Sequence, residues 1–135
     1  MSTPMLTPKT IPKSILLIED EPALHEAIKL KLEKAGIKVY SFFTAEEAVP
    51  FLKKEKPDLV WLDILLPGMN GLEFLKQIRE DFSLINLPVI IVSVSHSSEK
   101  IKKAFELNVL DFIVKSDNSL DDIIKKVERL LYQKK

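Results

Sequence analysis

The chain has 135 residues, 46% of them hydrophobic and 30% charged, a balance that suits one globular domain with its own core. Twenty basic and twenty acidic residues cancel, so no net field favours nucleic acid or a membrane surface, and no apolar run is long enough to span a bilayer. With no cysteine, disulfides and thiolate metal centres are excluded, and a reducing cytoplasm is the expected setting.

Residues 1–13 carry three prolines and no apolar stretch, which reads as a loose leader rather than a signal peptide. SILLIE (14–19) is a short branched apolar run and predicts a buried strand. Pro22 suits the first turn of a helix, Leu24, Ala27, Ile28, Lys31 and Ala35 fall on one face, and Gly36 is its stop. IKVYSF (37–42) is a second strand. Thr44 with Glu47 forms a capping box for a helix toward Lys54, which Pro50 shortens or kinks.

DLVWLD (58–63) predicts a third strand, and Asn70 with Glu73 opens a helix from Gly71 to about Glu80. Pro88 precedes a fourth strand, VIIVSV (89–94), and Ser97 or Ser98 caps a helix up to Leu107. DFIVK (111–115) is the fifth strand. Ser119 caps a last helix in which Leu120, Ile123, Ile124, Val127, Leu130 and Leu131 keep helical spacing. Continuously apolar strands alternating with helices predict an open α/β fold, a doubly wound parallel sheet of five strands covered on both faces. The domain is expected over 14–132, with 133–135 as a short tail.

An acid at the tip of an oily strand asks for a reason, and Asp63 ends DLVWLD. In open α/β sheets ligands bind outside the carboxyl ends of the strands. There the first strand ends in Glu19 and Asp20, the third in Asp63, the fourth near Ser93 and the fifth in Lys115. Clustered carboxylates repel one another, a conflict that a hard divalent cation such as Mg²⁺ resolves. A lysine can pair with a phosphoryl oxygen, a serine hydroxyl can donate to another, and a carboxylate can form an acyl phosphate. The edge therefore reads as a place to phosphorylate an aspartate and to sense the product.

ILLIEDEP, DLVWLDILLPGMNGLEFLKQIR, LPVIIVSVS and DFIVKS, in order from about Ser14 to Leu131, resemble the receiver domain of two-component response regulators. The resemblance implies a flavodoxin-like fold with strand order 2-1-3-4-5. It implies Asp63 as phosphoacceptor, Ser93 as switch hydroxyl, Lys115 as the phosphate-pairing lysine and Phe112 as the switch aromatic. The implied Mg²⁺ site is the acidic pair Glu19 and Asp20 with Asp63 and the backbone carbonyl of Leu65, and Pro67, Gly68 and Gly71 would shape the loop behind it. The implied phosphoryl donor is a phosphohistidine of a sensor histidine kinase or phosphotransfer protein, and the receiver catalyses its own phosphorylation and dephosphorylation rather than turning over a separate substrate. A downstream protein would read the face of the fourth helix, fifth strand and fifth helix, as a monomer or a phosphorylation-dependent dimer.

Three positions depart from the family pattern. Ser116 follows Lys115 where proline is common, so a trans bond is expected there. Val94 replaces a smaller residue after Ser93 and is expected to narrow access to Asp63, and Asn108 stands where glycine is frequent. His25 and His96 have no organised partners and read as solvent-exposed or loop residues, Glu21 as charge at a helix start, and Trp61, Phe42, Phe43, Phe51 and Phe74 as core. The chain ends soon after the last helix, so a stand-alone switch with no DNA-binding module is expected. The alternative is a phosphorylation-independent interaction module on the same fold. An aspartyl-phosphate phosphatase is disfavoured because Ile64 and Leu65 follow Asp63.

Overall fold

The computed structural model describes residues 12–133, so most of the expected leader and two residues of the tail lie outside them. Five parallel strands, β1 (Ser14–Ile18), β2 (Lys38–Phe42), β3 (Leu59–Leu62), β4 (Val89–Ser93) and β5 (Asp111–Val114), form one sheet in the order β2-β1-β3-β4-β5. The connecting helices are α1 (Pro22–Lys34), α2 (Ala45–Leu52), α3 (Gly71–Arg79), α4 (Ser98–Glu106) and α5 (Leu120–Tyr132). Short 3-10 turns at Phe82–Leu84 and Lys115–Asp117 were not anticipated from the sequence.

Strand side chains alternate between the two faces, and each face recruits its own helices. Leu16, Ile18, Val60, Leu62, Val89 and Ile91 pack with Ala45, Ala48, Phe74, Leu75, Ile78 and Ala104 of α2, α3 and α4. On the opposite face Ile15, Leu17, Trp61, Ile90, Val92 and Ile113 pack with α1 and α5 through Ile28, Leu32, Ile123, Ile124 and Val127. Fully burying each such side chain is worth about 1.5–3 kcal/mol, which is why the strands read as unbroken apolar runs. Among the described residues no helix is long and apolar enough to cross a membrane.

The helix ends follow their capping chemistry. Ser97 rather than Ser98 caps α4, accepting the Lys100 amide, and Ser119 caps α5. Asn70 and Glu73 make the full reciprocal box, whereas Thr44 accepts the Glu47 amide. Helix α1 closes with the Ile37 amide on the Leu32 carbonyl and the Gly36 amide on Glu33, with Gly36 at φ 83°. Asn108, at φ 62°, closes α4 through the same bonding pattern. Pro50 lies in the last turn of α2, which ends at Leu52 rather than Lys54.

Further expectations are corrected. Glu19, Asp63, Val94 and Lys115 lie just past their strands rather than within them, Lys115 opening a short 3-10 turn. The inward face of α1 is His25, Ile28 and Leu32: of the expected Leu24–Ala27–Ile28–Lys31–Ala35 face Ile28 is buried and Leu24 packs partly against the same core, whereas Ala27, Lys31 and Ala35 are not buried. His25 is buried, not exposed, because it sits on that face. Phe43 follows β2 at the sheet edge and is 46% exposed, so it lies outside the two core layers that hold Phe74 and, partly, Phe42 and Phe51.

Register carries these elements to the site. Ile18 pairs with Leu62, Leu62 with Ile91 and Ser93 with Val114, so the residues after β1, β3, β4 and β5 emerge at one edge of the sheet. The ladder runs one step further, with the Asp63 amide donating to Ile18 at 3.2 Å and the Glu19 amide donating to Phe42 at 3.2 Å. Behind Asp63, a Cβ on Gly71 would collide with the Asp63 carbonyl oxygen and lie 2.8 Å from Ile64 Cα. Gly71→Ala is therefore expected to lower stability by about 1–3 kcal/mol, read as a lower urea midpoint at unchanged slope. A wild-type midpoint would show that the turn yields without resistance.

Candidate functional site

The carboxyl edge of the sheet brings Glu19, Asp20, Asp63 and Lys115 together. One carboxylate oxygen from each of the three acids lies within 4.8 Å of the others, with Glu19 and Asp63 buried and Asp20 half-buried. Lys115 Nζ lies 2.8 Å from Glu19 Oε1 and 3.0 Å from Asp63 Oδ2, with its side chain only 16% exposed. The second Glu19 oxygen accepts the Glu21 amide at 3.1 Å, and Asp63 Oδ1 accepts the Leu65 amide at 3.3 Å. Glu21 itself caps α1 by accepting the Leu24 amide. The Lys115–Ser116 peptide is trans, as expected.

Burial pushes the Glu19 carboxyl above its ordinary pKa. The Lys115 hydrogen bond and charge offset that rise only in part, and Asp63 adds to it. Burial also opposes the Lys115 ammonium, but the hydrogen bonds and charges of Glu19 and Asp63 outweigh it and raise its pKa. The lysine is thus the counter-charge that lets several acids share a dry edge. The donor set is all oxygen and anionic, which fits a hard divalent cation of the Mg²⁺ kind.

Of the remaining expected residues, Leu65 bonds to this centre through its amide on Asp63, and Ser93 and Phe112 make no hydrogen bond to it. Ser93 is fully buried at the end of β4, and its Oγ accepts the Ser95 amide at 3.1 Å. Lys100 reaches from the first turn of α4 to the Ser95 hydroxyl. Leu65 and Val94 are exposed at the mouth, and Phe112 is half-buried on β5 against the α2–α3–α4 layer. Glu46 of α2 accepts the Met69 amide at 2.8 Å and ties down the loop that carries Pro67 and Gly68. Trp61 lines a cavity of about 150 Å³ with Leu24, Ile28, Val92 and Lys115, and its buried indole N–H has no partner among the described residues.

Sequence reasoning missed one residue beside this site and one at the opposite edge of the sheet. His25 Nδ1 lies 2.7 Å from the Glu19 carbonyl oxygen, and its ring stacks on Phe43 at 4.0 Å between centroids. Its spacing with Ile28 and Leu32 was the available signal. Arg79 donates to the carbonyls of Leu107, Leu84 and Asn108 at 2.8, 3.1 and 3.2 Å, so α3 holds the end of α4. Nothing in the sequence marks that clamp, since its acceptors are all main-chain atoms.

Residues 15–128 match the response regulator receiver domain family, and the chain belongs to it. It is 37% identical over 117 residues to the transcriptional regulatory protein CrdR of Helicobacter pylori, covering 87% of this chain and 54% of that protein. The chain spans about half the length of the curated relatives it resembles. Among solved structures, the phosphorylated cyanobacterial phytochrome response regulator RcpA superposes with a TM-score of 0.83 at 30% identity, covering 91% of this chain and 96% of that one. The Mn²⁺-bound form of the response regulator Rcp1 gives 0.82 at 26% identity, covering 92% and 98%. Receiver domains act in two-component phospho-signalling, and they generally bind Mg²⁺ at an acidic pocket of the kind formed by Glu19, Asp20 and Asp63.

The Glu19 shift has a stability consequence. A carboxyl that holds its proton more tightly when folded loses stability as pH rises from its unfolded value through its folded one. Wild type is therefore expected to lose stability relative to Glu19→Gln as pH rises from about 4 to 7, compared by urea denaturation at several pH values. A difference that stays flat across that range contradicts the assignment.

Proposed function

We propose that this chain is a phosphorylation-controlled switch in which Asp63 accepts a phosphoryl group from a phosphohistidine of a sensor kinase or phosphotransfer protein. The observation that carries the reading is Lys115 Nζ held between Glu19 and Asp63, at 2.8 and 3.0 Å, at the carboxyl edge of the sheet. In the transfer an Asp63 oxygen bonds to phosphorus as the donor's N–P bond breaks, and the imidazole leaves neutral after taking up one proton. Water later cleaves the acyl phosphate, returning Asp63 and inorganic phosphate.

Asp20, Asp63 and the Leu65 carbonyl, with Glu19 beside them, would hold Mg²⁺, which when bound supplies positive charge to the phosphoryl oxygens. Lys115 pairs with one phosphoryl oxygen. The Ser93 hydroxyl accepts the Ser95 amide, which leaves its own proton for another phosphoryl oxygen. Phe112 responds as the switch aromatic, and the face of α4, β5 and α5 presents the changed surface to a downstream protein. Residues 14–132 are the functional unit in this reading, set in the cytoplasm.

The test is intact mass after incubation with acetyl phosphate and Mg²⁺. One added phosphoryl group is expected, lost in Asp63→Asn and without the metal. No added group, with beryllofluoride also failing to bind, would favour a constitutive interaction module. Val94 is 53% exposed beside buried Ser93, and in this reading its bulk narrows the approach to Asp63. Val94→Ala is expected to speed both phosphorylation and hydrolysis in the same assay, and unchanged rates would remove that role.

A further inference from the structure

We propose that His25 is a positioning residue that sets the acidic pair through the Glu19 main chain, an inference that rests on the reading of Glu19 and Asp20 as cation-binding carboxylates. His25 lies on the inward face of α1 and is 2% exposed, away from any role in solvation. A carbonyl oxygen only accepts, so the 2.7 Å contact to Glu19 O places the proton on Nδ1. The preceding peptide of the same residue is fixed by the sheet, where the Glu19 amide donates to the Phe42 carbonyl. The Glu19–Asp20 segment is thereby gripped from α1 and from β2 at once, just where the chain leaves the strand.

Phe43 packs on the imidazole, its ring nearly parallel at 15° between planes, while Nδ1 supplies the bond. The arrangement matches the general way in which outer hydrogen bonds orient the residues that hold a metal, whose loss typically weakens affinity about 10–100-fold. Here the oriented group is the backbone that carries two acids rather than a ligating ring.

Two variants separate donor from packing. His25→Phe keeps an aromatic ring beside Phe43 and removes the donor, whereas His25→Asn keeps a donor close to the Nδ1 position and removes the stack. In calorimetric titration with Mg²⁺, His25→Phe is expected to bind about tenfold or more weakly, while His25→Asn retains wild-type affinity. The rate of phosphorylation by acetyl phosphate should fall in His25→Phe at low Mg²⁺ and recover at saturating Mg²⁺, a split that a fold defect would not give. Equal Mg²⁺ affinity in His25→Phe and wild type overturns the inference while leaving the proposed function intact. A wild type that binds no Mg²⁺ overturns both. Nitrogen NMR of the His25 ring in the unaltered protein is an independent check that survives any folding failure of the variants: Nδ1–H supports the inference, and Nε2–H with bare Nδ1 overturns it.

Discussion

A single ammonium group holds the functional edge of this protein together. Lys115, which follows β5, bridges the buried carboxylates of Asp63 and Glu19, which follow strands two and three places away in the sheet. Removing charges from water is expensive, and an ion pair in such a place seldom stabilises a fold more than apolar side chains of equal volume would. The raised pKa of Glu19 says the same thing locally: even with Lys115 present, burial is only partly offset. The edge is therefore held in place by the rest of the structure rather than holding it. Two apolar layers and five strands in register sustain an electrostatic arrangement that would not persist alone.

That dependence explains what the sequence could and could not disclose. Strands buried on both faces must be apolar, so a carboxylate at the end of one stands out, and Glu19, Asp20, Asp63 and Lys115 were legible because each interrupts such a run. Caps were legible because a few polar residue types satisfy the free amides of a helix start, as Asn70, Ser97 and Ser119 do. The phase of α1 was less so. A helix with alanines and lysine stems along one side offers two neighbouring stripes, and only docking against the sheet selects the one containing His25. Phe43 fails for a related reason: sequence marks it as bulky and apolar, but its place beyond the end of β2 leaves it without a second layer to enter.

The Arg79 clamp belongs to a different class of hidden feature. Its three acceptors are carbonyls of Leu84, Leu107 and Asn108, and a bond to the main chain leaves no trace in the identity of the residues that accept it. The same is true of the tight seat of Gly71 on the Asp63 carbonyl, where the requirement is for an absent side chain. Both belong to α3, Gly71 at its start against the Asp63 carbonyl and Arg79 at its other end against the close of α4.

The clamp also gives α4 a mechanical character. Of its nine residues only Ala104 is buried, while its last turn is pinned through Leu107 and Asn108 to the Arg79 guanidinium. Its first turn is held by its own Ser97 and by the reach of Lys100 to Ser95, contacts confined to the segment itself. A rod fastened at one end and loose at the other pivots rather than slides. Any movement of α4 then sweeps its widest arc at Ser95 and Lys100, beside the Ser93 hydroxyl, and its smallest where the chain turns into β5. The lever is longest at the acidic edge and shortest where the sheet must keep its register.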